Sequence, residues 1–241
     1  MEQDDVRRAV AEFVGAFTLI FVGGGAGIVS GGDIVAVALA NGLAIGIMVS
    51  NLGHISGGHF NPAITLGFVL ARRITMRLAA LYWVAQLAGA VAAALLLRAI
   101  FLHSATLGSV PRVSGVTEWR GLVVEIVLTF FLVWAVWATA VDPRGAFKSI
   151  AGLAIGLTIT MDVFMGGPVT GAAMNPARAF GPELVENFWG SCWIYYLGPA
   201  IGAVIAALGY EWLYLRPLRP APVGPPETGV EEPRPGDTAL S

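Results

Sequence analysis

Residues 166–181 read GGPVTGAAMNPARAFG and residues 53–67 read GHISGGHFNPAITLG, so one tripeptide stands twice, as Asn61, Pro62 and Ala63 and again as Asn175, Pro176 and Ala177. Asn caps a helix by accepting from the first free backbone N–H groups, and Pro suits the next position, where its missing N–H costs nothing. Each copy therefore starts a helix. The apolar residues behind each start, 63–71 and 177–185, make that helix short: about 11 residues with its ends, or ~16 Å at ~1.5 Å per residue. That is about half of a hydrocarbon core ~30 Å thick. A glycine-rich stretch precedes each start, and irregular backbone is tolerated at membrane depth only where protein or a water-filled cavity satisfies its polar groups. Two half-helices meeting midway leave a polar path.

The surrounding chain is built for lipid. Of 241 residues, 56% are hydrophobic and 12% charged, and the apolar ones fall in six blocks, residues 10–29, 34–52, 78–101, 122–141, 149–164 and 192–215, each read as a membrane span. Spans consume most of the chain, which leaves no room for a separate catalytic domain, and the net charge of −2 argues against nucleic acid as a partner. No nucleophile, metal or nucleotide pattern stands out, so no cofactor is expected; His103 carries no metal-ligand spacing. Cys192, the single cysteine, has no internal disulfide partner. Glu12 lies inside the first block and no cleavage site follows it, so that block reads as an uncleaved span.

The repeat extends beyond the motif. Glu12 and Glu125 are 113 residues apart, as are Tyr82 and Tyr195, while Asn61 and Asn175 are 114 apart. Repeat 1 covers about residues 8–101 and repeat 2 about residues 120–215, within a membrane domain of residues 1–216. Three spans per half insert the second half upside down, which makes this an all-α membrane protein with an inverted 3+3 repeat, six spans and two re-entrant half-helices. Arg7, Arg8, Arg72, Arg73, Arg77, Arg144 and Lys148 share one side against Arg112 and Arg120 on the other, which places both termini in the cytoplasm; the cell membrane is the expected location. Residues 217–241 are rich in Pro and acid and are expected to form a disordered tail. Gly pairs four apart, 23 and 27, 42 and 46, 152 and 156, 198 and 202, read as helix-packing positions.

These motifs, with AEF in the first span and WIYYLGP in the sixth, resemble the aquaporin or major intrinsic protein family over about residues 8–215. Two Asn-Pro-Ala copies in half-repeat register, the second followed by Arg178, are a specific signal. The sequence looks most like the branch holding tonoplast and ammonia- or peroxide-permeable aquaporins. The resemblance implies a homotetramer in the lipid bilayer, each subunit a passive channel for water and small neutral solutes that excludes ions and protons.

It also implies roles for single residues. Asn61 and Asn175 turn amide N–H groups toward the path, and the half-helix N-termini put positive partial charge at its middle, against cations and proton transfer. Carbonyls of Gly57, Gly58, His59, Gly171, Ala172 and Ala173 form an acceptor ladder. The constriction consists of Asn41, Val163, Ala172 and Arg178, wider than the aromatic-plus-His filter of strict water channels; the His usual at the Asn41 position in the resembled branch is itself replaced. Asn41 has a second reading, as a bond between helices. Arg178 stands in a helix's first turn, where a cation is badly placed; it either guards the constriction or ties loops together. Glu12 and Glu125 support the irregular loops, the alternative being proton relay. Asp162 either binds backbone donors or shapes the filter through Val163, and the residues do not choose. His54 and His59 hydrogen-bond within their loop, with a pH gate at His59 as the other reading. Ala179, Glu183, Tyr195 and Tyr196 depart from the glycerol-conducting pattern and disfavour glycerol as the main substrate, while the width of the filter alone admits urea or uncharged metalloid acids; a glycerol or metalloid facilitator is the alternative. Rivals of another class are a secondary transporter, which also uses inverted repeats, and a structural membrane-junction protein.

Overall fold

The computed structural model describes residues 3–102, 111–145 and 150–216. The expected tail at 217–241, His103 and Lys148 lie outside the described residues. Among the described residues six helices are long and apolar enough to cross a bilayer: α1 (Gln3–Val29), α2 (Ile34–Ser56), α4 (Met76–Ile100), α5 (Glu118–Val141), α6 (Ala151–Thr170) and α8 (Trp193–Leu215). Two short helices stand between them, α3 (Pro62–Leu70) after the second span and α7 (Pro176–Glu186) after the fifth. No strand occurs among the described residues.

The helix starts follow from local chemistry. Asp33 accepts from Ala36 N at 2.8 Å, Thr75 from Leu78 N at 3.3 Å and Thr117 from Arg120 N at 3.4 Å, each satisfying a donor that a helix N-terminus leaves free. The ends of α2 and α6 are set by Gly57 and Gly171, whose φ values of 94° and 84° suit glycine and stop the helix.

The fifth span differs from the sequence expectation. It runs to Thr170, six residues past 164, through Gly166, Gly167 and Pro168. The glycines are places where a side chain does not fit: a β-carbon at Gly166 would lie 2.3 Å from Leu128 Cδ1. Pro168 can stay helical one turn from the end because neighbouring groups in a membrane protein make good its lost bond.

Packing repeats in the two halves. α1 lies on α4 and α5 on α8, while each half-helix packs against the third span of the other half, α3 on α8 and α7 on α4. The halves meet chiefly where α2 crosses α6. There a β-carbon at Gly42 would sit 2.5 Å from Gly156 O, and one at Gly156 would sit 2.5 Å from Gly42 O. Close backbone approach through small residues is how helices associate without a hydrophobic driving force. Leu39, Leu43, Ile47, Val84, Leu95, Val123 and Leu157 are exposed on the outside, as lipid-facing positions require. Arg73, beyond the end of α3, pairs with Glu211 near the end of α8, and Trp137 Nε1 donates to the same carboxylate at 3.3 Å, so the half-helix is anchored to two spans.

Candidate functional site: a central cavity between two half-helices

The segments before the two Asn residues are conformational copies. Gly58 and Ala172 have φ of 66° and 45°, Phe60 and Met174 have 48° and 51°, and Asn61 and Asn175 have −154° and −151°. Left-handed backbone is unfavourable for Phe, Ala and Met, and persists only where surroundings over-determine it. Here two buried carboxylates do so. Glu12 accepts from Ser56 Oγ at 2.6 Å, His59 N at 3.0 Å, Phe60 N at 2.6 Å and Gln86 Nε2 at 2.7 Å. Glu125 accepts from Thr170 Oγ1 at 2.6 Å, Ala173 N at 2.9 Å and Met174 N at 2.7 Å. Tyr82 and Tyr195 complete the correspondence, donating to Ser56 O at 2.6 Å and to Thr170 O at 3.0 Å.

With the loops held, the half-helix starts face each other. Asn61 Oδ1 accepts from Ala63 N at 2.8 Å and Asn175 Oδ1 from Ala177 N at 3.0 Å. The amide nitrogens cross over: Asn61 Nδ2 donates to Met174 O and Asn175 Nδ2 to Phe60 O, both at 2.9 Å. An amide nitrogen carries two hydrogens, so each Asn locks the opposite loop with one and keeps the other for the cavity.

Both Asn side chains line a narrow cavity whose water-accessible volume is about 30 Å³. Gly58, His59, Ala172, Ala173 and Met174 contribute to its wall, as do Asn41, Val163 and Arg178. Gly57 and Gly171 lie instead in the vestibules at its two ends. His59 borders both the cavity and the vestibule that holds Arg8 and Arg73, and Arg178 borders both the cavity and the vestibule that holds Arg112. The rest of the wall is aliphatic: Leu19, Ile45, Val49, Ile64, Leu132, Val136, Ile155 and Ile159.

Arg178 is 9% exposed and its Nη1 has no protein partner. A buried guanidinium with a free donor is costly, and this one stands in the wall of both the cavity and the Arg112 vestibule. Asn41 Nδ2 donates to Val37 O at 2.8 Å, one turn back on its own helix. Val163 and Ala172 are buried and offer no aromatic surface.

The halves differ where the repeat is polar on one side only. His59, Thr65 and Gln86 form a chain: Gln86 Nε2 donates to Thr65 Oγ1 at 3.1 Å, Thr65 Oγ1 donates to Asn61 O at 3.1 Å, and His59 Nδ1 lies 3.0 Å from the same hydroxyl. The hydroxyl's only proton goes to Asn61 O, which assigns the imidazole proton to Nδ1 and leaves Nε2 an acceptor. The register partners are Ala173, Ala179 and Pro199. Asp162 is buried, outside the cavity wall, with Oδ2 unpartnered. His54 is exposed in the Arg8 vestibule. Among the described residues no group of His, Cys, Asp and Glu is suited to a metal.

Cys192 precedes α8 and is absent from the cavity wall. An organomercurial is therefore expected to leave water flux unchanged. Inhibition that disappears in Cys192→Ser would contradict this placement.

A model of the family described as major intrinsic protein matches residues 1–210. A probable aquaporin TIP3-2 of Arabidopsis thaliana is 43% identical over 250 residues, covering 95% of this chain and 90% of the relative. Aquaporin TIP4-4 of Zea mays is 43% identical over 220 residues, with 87% of each chain covered. Among solved structures, the aquaglyceroporin of Plasmodium falciparum superposes with a TM-score of 0.81 over 89% of this chain and 98% of its own, at 22% identity. That last likeness shows the shared fold.

Proposed function

The chain belongs to the major intrinsic protein family, and from this membership and the cavity we infer a passive channel for water and small neutral solutes in a multi-pass membrane setting. The observation that carries the reading is the pair of half-helix starts meeting at one cavity, with Asn61 and Asn175 in its wall. Each presents an amide donor to a passing water, and each helix N-terminus adds about half a positive charge. Water is oriented from both sides at the middle, which interrupts proton conduction, and cations are repelled.

For the finer reading we assign Asn41, Val163, Ala172 and Arg178 as the constriction, with ammonia, hydrogen peroxide and urea passing beside water. What supports this is a wall of small and aliphatic side chains around one guanidinium. Glycerol is disfavoured because the departures from the glycerol pattern are engaged in the protein: Glu183 accepts from Tyr196 OH at 2.7 Å, and Tyr195 OH is spent on Thr170 O. Stopped-flow measurements on proteoliposomes with each solute test the reading. Replacing Val163 by His and Asn41 by Phe together narrows the opening, so urea flux should fall about ten-fold and water flux about two-fold. Equal reductions for all solutes would count against the assignment.

We further propose a homotetramer with one passage per subunit, to be checked by the mass of the detergent-solubilised protein. Both termini are assigned to the cytoplasm on the Arg and Lys bias. The cell membrane is the compartment carried forward from the sequence, though the relatives bear TIP-type names; fractionation against internal-membrane markers tests it.

A further inference from the structure

Gly23 lies in a π-helical turn of the first span, Leu19–Gly24, and is not part of the cavity wall. A β-carbon at Gly23 would stand 2.4 Å from Asn41 Oδ1, 2.7 Å from its Cγ and 2.9 Å from its Nδ2. Comfortable heavy-atom contacts begin at about 3.5 Å. The Asn41 amide therefore occupies the space that a side chain at position 23 would need. This separates Gly23 from the packing glycines. At Gly42, Gly89 and Gly202 a β-carbon would meet backbone of a neighbouring helix, Gly156 O at 2.5 Å, Phe13 O at 2.4 Å and Ile126 O at 2.3 Å. At Gly23 the three nearest atoms all belong to the end of one side chain, which can rotate away without parting two helices.

Asn41 is in the cavity wall with Arg178. Its Nδ2 is held by Val37 O, and among the described residues no donor reaches its Oδ1. We propose that Gly23 is a positioning residue for the constriction: by carrying no side chain it lets the Asn41 amide lie back against the first span, with Oδ1 turned toward Gly23, which keeps the passage wide beside Arg178. The π-helical turn fits this role, since such turns inside α-helices recur at functional sites; this one also carries Leu19 into the wall. The solutes served are small neutral molecules that both donate and accept, such as ammonia, hydrogen peroxide and urea, a substrate class that rests on the function proposed above.

The test is a double-mutant cycle on Gly23→Ala and Asn41→Ser in proteoliposomes of matched protein content, with water and hydrogen peroxide fluxes read separately. Gly23→Ala forces the amide toward the passage, so peroxide flux should fall about ten-fold and water flux about three-fold. Asn41→Ser raises the peroxide-to-water ratio, and adding Gly23→Ala to it changes neither flux appreciably. Should Gly23→Ala fold only in the Asn41→Ser background, the coupling stands. The proposal is overturned if Gly23→Ala has no effect, lowers flux equally in both backgrounds or prevents folding in both. If the unmodified protein passes water but no peroxide, the solute reading fails by itself, and the cycle on water flux still decides the role of Gly23.

Discussion

Glu12→Leu abolishes water permeability, and most of the protein fails to reach a monodisperse folded state. The substitution takes the acceptor away from four donors, the Ser56 hydroxyl, the His59 and Phe60 backbone N–H groups and the Gln86 amide. Each is buried or part of a buried loop, and an orphaned buried donor costs about 1–3 kcal/mol. Four of them approach the whole net stability of a folded protein, about 5–15 kcal/mol. The loss is also local. Phe60 has φ of 48°, and without the carboxylate nothing holds its N–H in that conformation. Once Phe60 relaxes, its carbonyl leaves Asn175 Nδ2, so damage in the first loop reaches the second half-helix. Glu125→Leu acts alike through three donors and should be slightly milder. Glu12→Gln keeps the shape, but either orientation of the new amide sets its NH2 group against one backbone N–H, so a roughly ten-fold loss of flux is expected from one misplaced donor. Size-exclusion profiles in detergent and osmotic water permeability of vesicles are the measurements. Glu12→Leu protein that conducts as the unmodified channel does would remove the carboxylate from its place in this account.

The sequence makes the half-helices legible because capping is local: Asn followed by Pro starts a helix wherever the chain goes, and a short apolar run behind it fixes the length. The inverted repeat is legible for a different reason, since Glu12 with Glu125 and Tyr82 with Tyr195 keep one register. What the sequence hides is tertiary. The fifth span continues through Gly166, Gly167 and Pro168 to Thr170, because whether such residues stay helical depends on neighbours that no local rule names. The aliphatic wall of Leu132, Val136, Ile155 and Ile159 leaves no trace in spans that are apolar all round, where a cavity-facing residue and a lipid-facing one look alike. The crossed bonds of Asn61 and Asn175 join residues 113 and 115 positions apart. Gln86 and Thr65 were visible only as polar residues within or beside apolar runs. Gly23 reads as a packing glycine until the Asn41 amide is found in the space beside it.

Arg178→Leu is expected to let monovalent cations leak while water flux holds or rises. A unit positive charge about 6 Å from a passing cation, at an effective dielectric of ~20, opposes it by about 3 kcal/mol. Removing that charge should raise cation conductance about a hundred-fold, at ~1.4 kcal/mol per factor of ten. The increase stops there because the N-termini of α3 and α7 still present about half a positive charge each at mid-cavity, so the variant is a leaky water channel rather than a cation channel. Stability should move the other way. Arg178 puts a buried cation in the first turn of α7, with Nη1 unpartnered, where the helix dipole disfavours it by about 0.3–1 kcal/mol. Leucine relieves both costs, so the variant should resist heating in detergent at least as well as the unmodified protein. An arginine serving only to tie loops together would behave oppositely, with lower thermal stability, unchanged ion exclusion and reduced water flux. Conductance across planar bilayers, read beside vesicle water flux and the melting profile, separates the two, and a variant that melts earlier without leaking refutes the assignment of Arg178 to the constriction.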